Sequence, residues 1–173
     1  MDFDIREIRD YYDSNLRDYD YDELVKIGVS YENADFMVSI GVPEVYDDFV
    51  FYGMDTIQKT IIEDTEFIII GHYACHGILS PKGLFLKEGS DKLFTISSVH
   101  YPSIYMLNKN LRTFFLFDLI RSELAMKMRR EGEYSSQKYA QELRKFFEQH
   151  DPEAMNYVEG YWSHFIEDYE TGL

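Results

Sequence analysis

One segment of this chain contains histidine and cysteine residues close together, and these residue types suggest metal binding. His72, Cys75 and His76 lie between Gly71 and Gly77, and imidazole with thiolate is a zinc-ligand set. Histidines four residues apart share a face only on a helix, whereas the flanking runs have the composition of strands, so we expect a turn here. No CxxC or second Cys/His pair completes a tetrahedral site. We expect a structural or solvent-facing segment without metal, and zinc binding remains the alternative.

Cys75 is also the chain's one thiol nucleophile, with His72 or His76 as its base. Such catalysis needs a group that orients the base and an oxyanion donor, and the neighbouring sequence supplies neither. Ser97 and Ser98 lack the glycine-flanked turn of a hydrolase, and the GxSxG, GxxxxGKS/T, GxGxxG, HExxH and calcium-loop patterns are absent. We expect no enzymatic activity and no cofactor. An enzyme that uses Cys75 and His76 is the alternative, and Cys75→Ser would test it.

Carboxylates are the second group of chemically active residues, and they are concentrated at the two ends of the chain. Residues 1–66 contain eighteen Asp and Glu against five Lys and Arg, and residues 67–147 are net basic. Catalytic carboxylates lie in a partly desolvated cleft that raises one pKa. These carboxylates instead have the surroundings of loops and helix starts, where water keeps them ionised. The acidic clusters are residues 18–23, 44–48 and 63–66.

Two interpretations of these clusters remain open: a solvated surface, and a docking surface for a basic partner. Tyrosines among carboxylates offer rigid contact area together with charge, which suits a protein that meets a basic partner. Solubility alone would not sort the charge by segment, whereas a docking surface would. The predicted contact residues are Tyr19, Asp20, Tyr21, Asp22, Tyr46, Asp47 and Asp48.

Length and composition exclude several classes of protein. A chain of 173 residues fits one domain, and 45% hydrophobic with 17% aromatic residues is too apolar for a disordered tail. The single cysteine excludes an internal disulfide, and no apolar run approaches the roughly 18 residues of a membrane span. The first residues lack a signal region, so we expect a cytoplasmic protein. A pI near 4.6 predicts repulsion from nucleic acid and anionic lipid.

Apolar spacing predicts helices at both ends of the chain. An amphipathic helix is expected over residues 5–16, and a second from the N-cap Ser30 to the break at Gly41-Val42-Pro43. After Pro102 a wide apolar stripe from Leu111 to Met128 predicts a central helix covered on more than one side. Further helices are expected over residues 139–147 and after Asp151-Pro152, with Met155, Val158, Trp162, Phe165 and Tyr169 as the apolar stripe of the last one and a kink or break at Gly160.

Between Pro43 and Pro102 the pattern predicts strands. Hairpin-sized links separate the runs and leave no room for a crossover helix, so the strands must pair mostly antiparallel. The fold class is therefore α+β, a single domain with a mostly antiparallel sheet of roughly six strands flanked by N-terminal and C-terminal helices. We divide it into helices (1–42), sheet (43–107) and helices (108–173). The predicted strands are residues 49–52, 56–62, 66–71, 77–80, 84–86 and 93–98.

The order of these signals resembles the SUKH superfamily, which comprises bacterial toxin-immunity proteins and relatives of the yeast glucan-synthesis regulator, and most closely its fourth immunity subgroup. Gly41-Val42-Pro43-Glu44 is similar to the family's helix-ending motif, and Lys82-Gly83-Leu84-Phe85 to its glycine-led hairpin strand. Ile104 to Asn108 resembles the family's apolar strand before the long helix. Further matches are Phe49-Val50-Phe51, Ile70-Gly71, Gly77-Ile78 and, in the closing helix, Asp151-Pro152-Glu153-Ala154 with Trp162 and Ile166.

The resemblance implies a cytoplasmic immunity protein that binds and neutralises a cognate toxin, often a nuclease or deaminase. Lys109 stands where the family commonly has a small hydroxyl residue, and Val42 where leucine is usual. Members carry no catalytic residues to transfer, so the resemblance implies a role and a basic protein partner, without a site. The alternative is a regulatory protein-interaction module of the same fold that has no toxin partner.

Overall fold

The computed structural model describes residues 15–74, 82–97 and 103–172. The predicted strand 77–80 lies outside these ranges, and so does almost all of the predicted helix 5–16. The helices are α1 (Tyr21–Ile27), α2 (Tyr31–Asp35), which continues as a π-helix (Phe36–Ile40), α3 (Leu111–Arg130), α4 (Ser136–His150), a 3-10 turn (Pro152–Met155) and α5 (Tyr161–Thr171). The strands are β1 (Val45–Tyr46), β2 (Phe49–Phe51), β3 (Gln58–Ile62), β4 (Thr65–Tyr73), β5 (Lys82–Lys87), β6 (Leu93–Ile96) and β7 (Ile104–Asn108).

The seven strands form one sheet in the order β1-β2-β4-β5-β6-β7, and β3 pairs with β4 on the same edge as β2. Each pairing among the described strands is antiparallel, which confirms the α+β prediction with one strand more than expected. At β2 the backbones approach closely, because a Cβ on Gly71 would lie 2.4 Å from the Val50 carbonyl oxygen. This contact fixes β2, and the turn before it, against β4.

Helix α3 is the centre of the core, as its wide apolar stripe predicts. Asn110 caps it and accepts a hydrogen bond from the Thr113 amide at 2.8 Å. Phe114 and Phe115 meet strand β2, with the Phe49 ring 5.0 Å from Phe114. On another side of the helix, Phe117 stacks on Phe147 of α4 at 3.8 Å. Because α3 touches both the sheet and the C-terminal helices, its position decides where both layers lie.

The C-terminal segment forms two separate elements, whereas the sequence predicts one helix with a kink or break. Asp151 caps the 3-10 turn, and α5 begins after Gly160, so the break at this glycine is confirmed. A Cβ on Gly160 would lie 2.9 Å from the Tyr157 carbonyl oxygen, which leaves no room for a side chain. Trp162 is buried as predicted, but Val158 is 73% exposed. Val158 lies in the break between the two elements, so its assignment to the apolar stripe was wrong.

Candidate partner-binding surface

The first acidic cluster forms the start of helix α1, an element that the apolar pattern did not predict. The Asp20 carboxylate accepts a hydrogen bond from the Glu23 amide at 2.9 Å and caps the helix. Asp22 and Glu23 lie in the first turn, where the helix dipole stabilises negative charge. Tyr21 is 38% exposed beside them. An exposed tyrosine among three carboxylates is therefore present here, as the docking interpretation requires.

Tyr19 was predicted to contact the partner, and the structure shows that this prediction was wrong. Its side chain is only 7% exposed, and its hydroxyl donates to the Tyr52 carbonyl oxygen at 2.7 Å. Burial raises the pKa of the hydroxyl above its usual range, because the ionised form loses water, and the nearby charge of Arg17 offsets only part of this effect. Tyr19 thus anchors the segment before α1 to the sheet, and it is not a surface contact.

The second cluster forms the turn between β1 and β2. Asp47 is exposed and adopts a positive φ of 52°, which a two-residue hairpin turn requires. Asp48 is half-buried and accepts a hydrogen bond from the Tyr73 hydroxyl at 3.2 Å. Tyr46 packs its ring 5.2 Å from Phe115 and is only partly exposed. Of the three predicted contacts in this turn, Asp47 is therefore the most accessible.

A buried ion pair on α3 lies beneath this turn. The Arg121 guanidinium contacts the Asp47 carboxylate with Nη2, and its Nε lies 2.8 Å from Asp118 Oδ1. The guanidinium also lies over the Phe165 ring, 5.0 Å from its centroid. Burial lowers the pKa of Arg121, but the nearby carboxylates outweigh this effect and the net shift is upward. Arg121 is therefore a permanent cation shared by the surface turn and the core.

Asp118 is 2% exposed, and neither carboxylate oxygen accepts an aligned hydrogen bond from the described part of the chain. The contact with Arg121 is thus an ion pair without good hydrogen-bond geometry. Burial raises the pKa of Asp118 to about 7, Arg121 opposes this rise, and Asp47 and Asp48 add to it. Sequence reasoning missed this pair. A charged residue in the middle of the α3 stripe, followed three positions later by arginine, was the available signal.

The two acidic elements lie at opposite ends of one short strand. The turn Asp47-Asp48 precedes β2, whereas Tyr19, just before α1, is bonded to Tyr52, just after β2. Three strand residues span roughly 10 Å. Both predicted clusters therefore lie near strand β2, one at each of its ends, and we define the candidate site, the acidic edge, as Asp20, Tyr21, Asp22, Glu23, Asp47 and Asp48.

The third cluster stabilises the fold. Glu63 accepts hydrogen bonds from the Ser103 amide at 3.1 Å and the Ser103 hydroxyl at 2.5 Å, and so ties the β3–β4 turn to the start of β7. Glu66 pairs with Lys59 at 2.8 Å, and the hydrogen bond from Lys59 lowers the pKa of the Glu66 carboxyl. Glu63 and Glu66 hold other strands of the sheet together and are not among the predicted contact residues, so we leave them out of the candidate site.

The predicted metal and nucleophile segment is described only in part. His72 lies with Nδ1 3.1 Å from the Tyr52 hydroxyl, whereas Cys75 and His76 fall outside the described residues. Within residues 15–74, 82–97 and 103–172, no group of three or more His, Cys, Asp or Glu side chains is placed to hold a metal ion. The His72 imidazole therefore contacts Tyr52, and the expected structural role of the whole segment stays a prediction.

A groove of about 330 Å³ separates α3 from α4. Its lining combines apolar and polar side chains, which are Ile120, Leu124, Phe146, Lys127, Glu142, Lys145 and Gln149. None of its lining residues belongs to the acidic edge. In the described part of the chain, no helix combines the length and apolar character needed to cross a bilayer.

Comparison with known proteins gave no match to a family model, a curated protein or a solved structure.

Proposed function

We propose that this chain is a cytoplasmic immunity protein of the SUKH type, which binds and neutralises a toxin protein, of nuclease or deaminase type, through the acidic edge. The protein acts by occlusion and catalyses no reaction. The observation that carries the proposal is that the acidic start of helix α1 and the acidic β1–β2 turn lie near the two ends of strand β2, each beside a tyrosine. A toxin that acts on nucleic acid needs a basic surface, and this edge complements it in charge.

The edge supports such binding in two ways. Its carboxylates attract a basic partner over long range, which raises association to roughly 10⁸–10⁹ M⁻¹s⁻¹ at low salt. Binding energy comes mainly from buried contact area, for which Tyr21 and the exposed Val45 beside the turn are available. The same charge disfavours direct contact with nucleic acid or anionic lipid, because both are polyanions. A protein partner is therefore the best match for this surface.

The experiment begins with the reading frame upstream of the gene, because an immunity gene lies just downstream of its toxin. The two purified proteins should form a complex of nanomolar affinity or tighter, whose association rate falls steeply with salt. Reversal of charge at Asp20, Asp22, Asp47 and Asp48 should slow association by at least tenfold. Charge reversal at two exposed residues, Glu131 just after α3 and Glu148 on α4, is the control and should have a much smaller effect.

The proposal is contradicted if the protein does not bind the encoded toxin. It is also contradicted if the four charge reversals leave the association rate unchanged. The alternative, a regulatory module, is indicated if the gene has no toxin neighbour and its product binds another cellular protein through the acidic edge.

A further inference from the structure

Arg121 connects the candidate surface to the protein interior. Its Nη2 contacts Asp47 in the exposed turn, and its Nε lies 2.8 Å from buried Asp118. The arginine side chain is 17% exposed, whereas those of Asp47 and Asp118 are 39% and 2% exposed. One cation is thus shared by two carboxylates, of which one faces solvent and the other does not. The charge on the inner carboxylate must affect how strongly Arg121 neutralises the outer one.

The surroundings of Asp118 favour a change of protonation at this position. Neither of its oxygens has an aligned hydrogen bond from the described residues, and an ionised carboxylate in that state is costly. The groups that face it come from four elements. They are Arg121 on its own helix α3, Asp47 and Asp48 in the β1–β2 turn, Tyr161 on α5, and Tyr73 of β4 through Asp48.

We propose that Asp118 is a proton-controlled regulator of the acidic edge, and that its protonation state sets how much negative charge the β1–β2 turn presents to a basic partner. This inference deepens the proposed function and rests on it for the identity of the partner. Its physical core, the coupling of Asp118 to Asp47 through Arg121, can be tested on the free protein.

The direction follows from charge. With Asp118 protonated, Arg121 and Asp47 form a neutral pair and the turn keeps only the charge of Asp48. With Asp118 ionised, the same three groups carry one net negative charge, and Arg121 is divided between two carboxylates. The turn therefore attracts a basic partner more strongly at higher pH. Because burial raises the pKa of Asp118 to about 7, the change falls between pH 6 and pH 8.

The first test follows the side-chain carbonyl carbon of Asp47 by NMR from pH 5.5 to 8.5 in the free protein. The wild-type resonance should show an inflection near neutral pH, and Asp118→Asn should remove it. His164→Gln, which removes the imidazole next to Phe165 on α5, is the control and should leave the inflection unchanged. A flat wild-type profile overturns the proposal, and so does an inflection that persists in folded Asp118→Asn.

The second test uses the toxin complex. The association rate of the wild type should be roughly twofold higher at pH 8 than at pH 6, the size expected for one unit charge across about 10 Å of water. For Asp118→Asn the association rates at pH 8 and pH 6 should be about equal. A complex with equal pH ratios for both proteins overturns the regulatory role while leaving the proposed function intact, whereas the absence of a complex removes the proposed function and leaves the NMR result to stand alone.

Discussion

The indole Nε1 of Trp162 donates a hydrogen bond to the Asn108 side-chain oxygen at 2.9 Å. Asn108 ends β7 and Trp162 lies in α5, and both are buried. The Asn108 amide in turn lies 3.3 Å from the Asp151 carboxylate, which also accepts from the Lys109 amide at 2.7 Å. This polar chain links the sheet to both C-terminal elements. It gives Asp151 a role beyond the N-cap that its position before proline predicts.

Loss of this indole hydrogen bond should destabilise the protein. Trp162→Phe removes the donor, leaves the buried Asn108 oxygen without it, and opens a cavity beside Phe117. We expect the free energy of unfolding to fall by about 2–4 kcal/mol, measured by urea denaturation. Val158→Ala, at an exposed position in the preceding break, is the control and should change stability by less than about 0.5 kcal/mol. Equal effects of the two substitutions would contradict the role of the bond.

Asp118 should give the protein a distinctive dependence of stability on pH. Its pKa is raised from 3.8 to about 7 in the folded state. The folded state therefore binds the proton more tightly than the unfolded chain, and this contribution to stability is complete below about pH 4 and declines up to about pH 7. At roughly 1.4 kcal/mol per pKa unit, the decline amounts to a few kcal/mol. Asp118→Asn cannot ionise and lacks this decline.

The measurement is the free energy of unfolding of both proteins between pH 4 and pH 8. The stability of Asp118→Asn relative to wild type should rise steadily up to pH 7 and then level off. Glu131→Gln removes an exposed carboxylate near the end of α3 and should follow the wild-type curve. Parallel curves for wild type and Asp118→Asn would show that Asp118 titrates in the folded protein as it does in the unfolded chain.

Asp20 has two separable roles, one in folding and one in binding. Asp20→Ala removes the N-cap of α1 and should cost about 1 kcal/mol of stability. Asp20→Ser keeps a capping oxygen but removes the charge, so it should preserve stability while slowing association with the basic partner. Thermal unfolding and stopped-flow association separate the effects. An equal loss of stability in Ala and Ser variants would mean that charge, and not the cap, stabilises this helix start.

Gly71 should tolerate no side chain. Gly71→Ala places a Cβ 2.4 Å from the Val50 carbonyl oxygen and must push β2 away from β4, so we expect a loss of more than about 2 kcal/mol. Gly132→Ala is the control, because nothing lies within 4 Å of its Cβ and only its positive φ makes alanine unfavourable, at about 1 kcal/mol. Denaturant unfolding that ranks Gly132→Ala as the more harmful change would contradict this close approach.

Much of the local structure could be predicted from sequence because short-range physics determines it. Ser30 caps α2 as expected, the α3 stripe repeats at helical spacing over five turns, and Gly160 separates two elements. Helix α1 was missed because its seven residues hold one fully buried side chain, Leu24, too few for an apolar period. β1 is only two residues long and shows no alternation. The strand β7 was expected only through the family resemblance.

The sequence by itself determined that this is an acidic α+β domain built around one long apolar helix, because composition and periodicity act over a few residues. Only the tertiary structure decided which of the predicted contact residues remain at the surface. Tyr19 is an amphipathic residue, and its burial depends on Tyr52, 33 residues away. Asp47 meets Arg121 across 74 residues of chain. Such pairings arise when sheet and helix pack together, and no local pattern specifies them.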